Sequence, residues 1–193
     1  MIQRESPNSS IICNQENFIL KGNEHLIQQS LPEHHLFFKQ AKKDHFNGRP
    51  VNDMFIAIPA KLKPYVTDVS PINQRIQALI IRATAYRILL LNVYFPTDCK
   101  TFNGTIDDKL ENILVETKNI IQVHNCETVL LAGDFNYDPS RNNDRVRRME
   151  TFLEELLLKS CWSKFDVDFT HEHIINGRSY TSTLDHFLYN QKL

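Results

Sequence analysis

Two stretches of this chain repeat their apolar residues at helical spacing, while most of the remainder forms short β-branched or aromatic runs bounded by polar residues. Ile106, Leu110, Ile113, Leu114, Thr117, Ile120 and Ile121 fall on one face of a helix, which predicts an element from about residue 106 to 124. Thr105 followed three residues later by Asp108 gives it a capping box. Val146, Met149, Phe152, Leu153, Leu156 and Leu157 form a second stripe, predicting a helix over 144–159. Arg145, Arg147 and Arg148 lie near its start, where the helix dipole disfavours cations. They read as a solvated face or as a group with an electrostatic use.

Strands are predicted at 10–14, 36–40, 54–58, 66–69, 75–83, 87–94, 128–132 and 184–189. Three residues, Thr84-Ala85-Tyr86, separate the fifth from the sixth, which predicts a hairpin. The sixth and seventh are joined by the first helix, which predicts a parallel crossover. Mixed pairing with helices outside the sheets points to an α/β sandwich.

Composition narrows the class without naming it. The chain has 193 residues and is 41% hydrophobic, enough for one domain with a sizeable core. It carries 22 Lys+Arg against 23 Asp+Glu. That balance is unlike a dedicated nucleic-acid-binding module, so such a role would rest on a local site. Cys13, Cys99, Cys126 and Cys161 form no CxxC pair, which argues against a zinc site and against a disulfide scaffold. The polar start and the short apolar runs predict an intracellular protein, nuclear or cytoplasmic, that is neither secreted nor membrane-spanning.

Four polar clusters follow apolar strands, where open α/β sheets gather ligands. In Ile11-Ile12-Cys13-Asn14-Gln15-Glu16 a strand delivers a carboxylate suited to a hard cation. In Leu89-Leu90-Leu91-Asn92-Val93-Tyr94-Phe95-Pro96-Thr97, Asn92 and Tyr94 share one face. In Val129-Leu130-Leu131-Ala132-Gly133-Asp134-Phe135-Asn136, Gly133 permits close backbone approach. Asp134 and Asn136 then point one way and Phe135 the other. A carboxylate beside a carboxamide suits phosphodiester hydrolysis, the first acting on water and the second donating to a phosphate oxygen. In Ser182-Thr183-Leu184-Asp185-His186-Phe187-Leu188, Asp185 is placed to orient a histidine, and His186 faces away from it. His34-His35 and His171-Glu172-His173 lack the helical pair spacing of a zinc protease.

Taken in order, these clusters resemble the signature of the endonuclease/exonuclease/phosphatase superfamily. Gly48-Arg49-Pro50, the run from Asn92 to Thr97 and the run from Gly133 to Arg141 further resemble the endonuclease domain of non-LTR retrotransposons. So does Asp168-Phe169-Thr170 followed by the Asp185 cluster. The resemblance extends from about Ser10 to Leu193 as one partial domain. It implies a four-layered α/β sandwich, incomplete at its N- and C-termini. It implies that Glu16 binds Mg2+ (or Mn2+), Asp134 acts on the attacking water, Asn136 and Tyr94 contact the scissile phosphate with Asn92 beside them, and Asp185 holds a histidine. The implied reaction is metal-dependent hydrolysis of DNA, or of RNA, by an endonuclease that derives from a longer polyprotein with reverse transcriptase.

The family pattern also has an Asn-bearing strand before Gln15-Glu16 and a closing Ser-Asp-His, and neither has a counterpart here. Asn52-Asp53 stand where the family has Gly-Gly. These departures predict weakened or absent turnover. A non-catalytic remnant and another phosphoesterase of the same superfamily are the competing readings. Against an inositol phosphatase, residue 138 is Asp138 and no Pro-Trp-Cys-Asp-Arg stretch occurs.

Overall fold

The computed structural model describes residues 10–15, 22–39, 42–43, 50–51, 54–96, 106–161, 169–175 and 178–191. In chain order the elements are β1 (Ile12–Gln15), α1 (Glu24–Ser30), β2 (His34–Lys39), β3 (Lys42–Lys43), β4 (Pro50–Val51) and β5 (Met54–Pro59). A 3-10 segment (Ala60–Tyr65) follows, then β6 (Val66–Asp68), β7 (Ile76–Arg82), β8 (Arg87–Tyr94), α2 (Ile106–His124) and β9 (Thr128–Asp134). The last elements are α3 (Asp144–Glu155), β10 (Lys159–Ser160), β11 (His171–Ile175), β12 (Arg178–Ser182) and β13 (Asp185–Gln191).

The larger sheet runs β10-β13-β9-β8-β7-β6, and a smaller one runs β1-β5-β2. The predicted hairpin is β7 against β8, antiparallel, with Arg82 opposite Arg87. The predicted crossover is β8 to β9, the parallel pair, carried by α2. All other described ladders are antiparallel. The mixed α/β architecture expected from the sequence is what the chain adopts.

Alternation along β7, β8 and β9 sends side chains to two different cores. Ile76, Ala78, Leu89, Leu91, Val93 and Leu131 meet Leu110, Ile113 and Leu114 of α2 and Val146, Met149 and Phe152 of α3. Leu79, Ile81 and Leu90 point the other way and meet Ile56 and Ile58 of β5. The larger sheet is therefore covered by helices on one face and by the small sheet on the other.

Helix α2 has the predicted bounds, and its stripe is buried from Leu110 to Ile121. The capping pair Thr105 and Asp108 lies outside the described residues or side chains. Helix α3 stops at Glu155, short of the expected residue 159. Leu157 is 73% exposed with φ +54°, so it is not part of the stripe; Leu156 is buried as expected, and Leu158 is buried in place of Leu157. The helix is closed by Leu157 in the left-handed conformation, with the Leu158 N–H donating to the Leu153 carbonyl at 2.9 Å, and this cap turns the chain into β10. No described helix is long and apolar enough to cross a membrane.

Candidate active site

Three of the expected residues come together through strand register. Tyr94 of β8 pairs with Asp134 of β9, and Asp134 pairs with Asp185 of β13. The three side chains form one row across adjacent strands, on the face toward the small sheet. Two positions back along the same strands lie Asn92, Ala132 and Phe187, again in register.

The turn after β9 is built by local bonds. Gly133 has φ +147°, and a Cβ there would lie 1.8 Å from the Val93 carbonyl oxygen, so only glycine fits between β8 and β13. Asp134 Oδ1 accepts the Asn136 backbone N–H at 2.8 Å, closing an Asx turn. Asn136 has φ +46° and donates from Nδ2 to the Phe95 carbonyl at 2.9 Å and to Asp134 Oδ2 at 3.1 Å. Phe135 is 1% exposed and its ring lies 4.8 Å from that of Phe95. Asp134 and Asn136 therefore do share one side of the turn while Phe135 enters the core.

On β13, Asp185 is exposed and His186 is buried. His186 packs 5.2 Å from both the Phe135 and Tyr137 rings, on the helix side. Burial pushes its pKa below the usual histidine value. Thr170 Oγ1 accepts the backbone N–H groups of Leu184 at 2.9 Å and Asp185 at 3.0 Å, anchoring the entry to β13. A cleft of about 180 Å3 opens at this end, lined by Cys13 and Gln15 of β1, Ala132 and Gly133 of β9, and Asp185, His186 and Phe187 of β13. Burial pushes the Cys13 thiol up to about 12, so it stays protonated there.

No family model matches the sequence, and no curated protein does. Solved structures do match. The endonuclease domain of TRAS1, a telomere-specific non-LTR retrotransposon, is 18% identical with a TM-score of 0.62; the match covers 93% of this chain and 72% of that one. An endonuclease/exonuclease/phosphatase family protein from Leptotrichia buccalis is 17% identical with a TM-score of 0.61, covering 95% of this chain and 76% of that one. The 3′ phosphatase NExo from Neisseria, bound to product DNA hairpin, is 14% identical with a TM-score of 0.65, covering 93% and 75%. The chain has the endonuclease/exonuclease/phosphatase fold.

Within this fold the expected site residues occupy different settings. Asp134, Asn136, Tyr94 and Asp185 cluster at the strand ends as described above. Asn92 has no exposed surface: its Nδ2 donates to the Asn14 carbonyl at 3.1 Å and the Phe55 carbonyl at 3.2 Å. Its Oδ1 accepts from Gln15 Nε2. Any contribution of Asn92 to the site thus passes through Gln15, which lines the cleft. Glu16, the expected metal ligand, lies outside the described residues.

Sequence reasoning missed Arg75. Its guanidinium stacks 4.8 Å from the Tyr94 ring centroid, extending the row beyond β8. Its Nη1 is buried and has no hydrogen-bond partner among the described residues. The backbone around it is braced by Lys39, whose Nζ donates to the Pro71 and Ile76 carbonyls, both at 2.5 Å. Burial lowers that ammonium to about 8, against the opposing pull of Asp68 and Glu116. The one available signal was an arginine at the strand entry facing the Asn92–Tyr94 run across the predicted hairpin.

Proposed function

We propose that this chain is a metal-dependent phosphodiesterase acting on nucleic acid, an endonuclease of retroelement type. The observation that carries the reading is the row Arg75–Tyr94–Asp134–Asp185 beside the Asx-turned Asn136. A row with a part-buried guanidinium at one end and carboxylates at the other is suited to a phosphodiester. The Arg75 guanidinium would draw a phosphate oxygen toward this end of the row. Tyr94, stacked on Arg75, would place the scissile group over Asp134. The Asp134 carboxylate would orient and deprotonate the attacking water. The Asn136 N–H now shared with Asp134 would pass to a phosphate oxygen as Asp134 engages that water.

The donor set fits a hard cation. Asp134 and Asp185 stand directly opposite on an antiparallel pair, where like charges repel and a cation relieves the repulsion. Among the described residues no group of three or more His, Cys, Asp or Glu gathers. Magnesium takes one or two carboxylates, water and substrate phosphate, and so suits such a set, with manganese as its substitute. Glu16, next to the cleft residue Gln15, and Asp185 would hold it. When bound it supplies charge stabilisation to the phosphate and leaving oxygen. The DNA named in the Neisseria structure and the retrotransposon origin of TRAS1 support nucleic acid as the substrate class.

The His186 ring packs on the helix side against Phe135 and Tyr137, so it is not placed as the imidazole that Asp185 would orient toward the cleft. Plasmid nicking tests the reading. Nicking is expected with magnesium, is lost with EDTA, and falls at least about a hundredfold in Asp134→Ala. A folded chain that does not nick, or nicks equally well as Asp134→Ala, would make it a non-catalytic remnant.

A further inference from the structure

Three arginines crowd the start of α3, and two have simple roles. Arg147 is exposed and pairs with Asp144, and Arg148 lies 3.8 Å from Glu111 of α2. Arg145 is different. It is 7% exposed, and its Nη2 donates to the Phe135 carbonyl at 2.8 Å. Burying a permanent charge at the wrong end of a helix dipole is costly, so the site must gain something from it. The carbonyl it holds belongs to the residue between Asp134 and Asn136.

A second buried side chain grips the other flank. His186 Nε2 lies 2.9 Å from the Tyr137 carbonyl and 3.2 Å from that of Thr183. Both partners can only accept, so Nε2 carries the proton and donates. Asn136 thus stands between two held carbonyls, in a left-handed conformation that non-glycine residues rarely adopt. Its amide in turn steadies Asp134.

We propose that Arg145 and His186 are positioning residues for this site, clamping the carbonyls on either side of Asn136 and so aiming its amide and the Asp134 carboxylate. The proposal rests on the reading of Asp134 and Asn136 given under Proposed function. It accounts for a buried arginine and for a buried histidine whose ring packs on the helix side, neither of which belongs to the row of Tyr94, Asp134 and Asp185. Reacting groups tolerate little misplacement, an ångström costing on the order of a hundredfold in rate.

The test uses the 15N-labelled full chain as wild type, Arg145→Lys, Arg145→Met and His186→Gln, with Arg147→Met as control. Each is first shown to unfold cooperatively. The readouts are the side-chain amide resonances of Asn136, exchange protection of its backbone N–H, and kcat and KM for magnesium-dependent nicking. In Arg145→Met the Asn136 carboxamide signals should move toward those of a solvent-exposed amide, and backbone exchange should quicken. Arg145→Lys should restore part of the shift, and Arg147→Met should leave it unchanged. For nicking, kcat should fall about tenfold or more with KM within about twofold.

An unchanged Asn136 signature in a folded Arg145→Met chain overturns the proposal, whatever the activity. So does a loss that appears only in KM, which would make Arg145 a substrate contact. If Arg145→Met does not fold, Arg145→Lys and His186→Gln carry the same comparison. A wild-type chain that does not nick, with the signature shifted in Arg145→Met, would sink the proposed reaction while leaving the clamp standing.

Discussion

The two faces of the larger sheet are built differently. The helix-covered face is a continuous apolar core from Ile76 to Leu188, with α2 and α3 laid over it. The face toward the small sheet has a shorter apolar cluster centred on Ile56, Leu79 and Leu90, and then becomes polar. There Gln77 is buried and donates to the Phe37 carbonyl at 2.7 Å, and Asn92 bridges β1 and β5. Beyond them stand Tyr94, Asp134 and Asp185. One face is sealed mainly by close packing, with Arg145 and His186 as buried polar exceptions at its edge. The other is stitched by amides, so that the two sheets stay together while their ends leave a cleft. An apolar residue can therefore be lost from the first face with the cleft geometry kept, whereas loss of an amide from the second should disturb the cleft.

The strongest way to break the contrast is at Gly133, where β8 and β9 approach closely beneath both faces. Gly133→Ala should destabilise by about 3–5 kcal/mol, because its Cβ meets the Val93 backbone and its φ is strained for any other residue. Chemical denaturation reads this directly, and a loss under about 1 kcal/mol would mean that β8 and β9 can separate locally. Next in size, Met149→Ala should cost about 2–4 kcal/mol with the Asn136 amide signals unmoved. Asn92→Ala should cost less, about 1–3 kcal/mol, yet release Gln15 from its place in the cleft. If Met149→Ala disturbs the cleft as much as Asn92→Ala does, the division between the faces is wrong.

The smallest effect concerns pH. Burial holds His186 below the ordinary value of 6.5, so the unfolded chain takes up the proton more readily than the folded one. Its contribution to stability is thus complete above that value and is lost as pH falls through it toward the folded value. Thermal midpoints measured from about pH 7.5 down to about pH 5 should fall more steeply for wild type than for His186→Phe. Parallel curves would mean that His186 does not titrate within its buried setting.

Much of the fold was legible because the signals were long. The stripe of α2 runs over several turns and predicts its bounds, and the apolar runs of β7 to β9 are long enough to fix pairing and direction. Short elements carried too little pattern. Helix α1 buries no residue, so it has no stripe to read. The hairpin β11–β12 is polar along much of its length, and its one strong clue, Asn176-Gly177 between the two strands, passed unused. The parity of Asp134 and Phe135 followed from alternation, whereas Asn136 is held on the Asp134 side by the Asx turn. What a sequence does not contain is offset between strands. Nothing in the spacing of Tyr94, Asp134 and Asp185 says that they end up level, and nothing near Arg145 says that its partner is the Phe135 carbonyl. Asn92 shows the same limit: a polar residue at a strand end read as a substrate contact, and the structure buries it beneath the cleft.

That levelness has a consequence for how the protein comes into being. Tyr94, Asp134 and Asp185 sit on separate segments, and the first two are brought level only by a parallel crossover that must close over the whole of α2. Distant closures of this kind are slow steps in folding. During synthesis β13 also emerges after both of its partners' strands. The row of Tyr94, Asp134 and Asp185 therefore cannot exist in any fragment that ends before β13, and a ribosome-bound or partly unfolded chain carries the motifs without their alignment. The row is completed only at the end of folding, together with the last ladder.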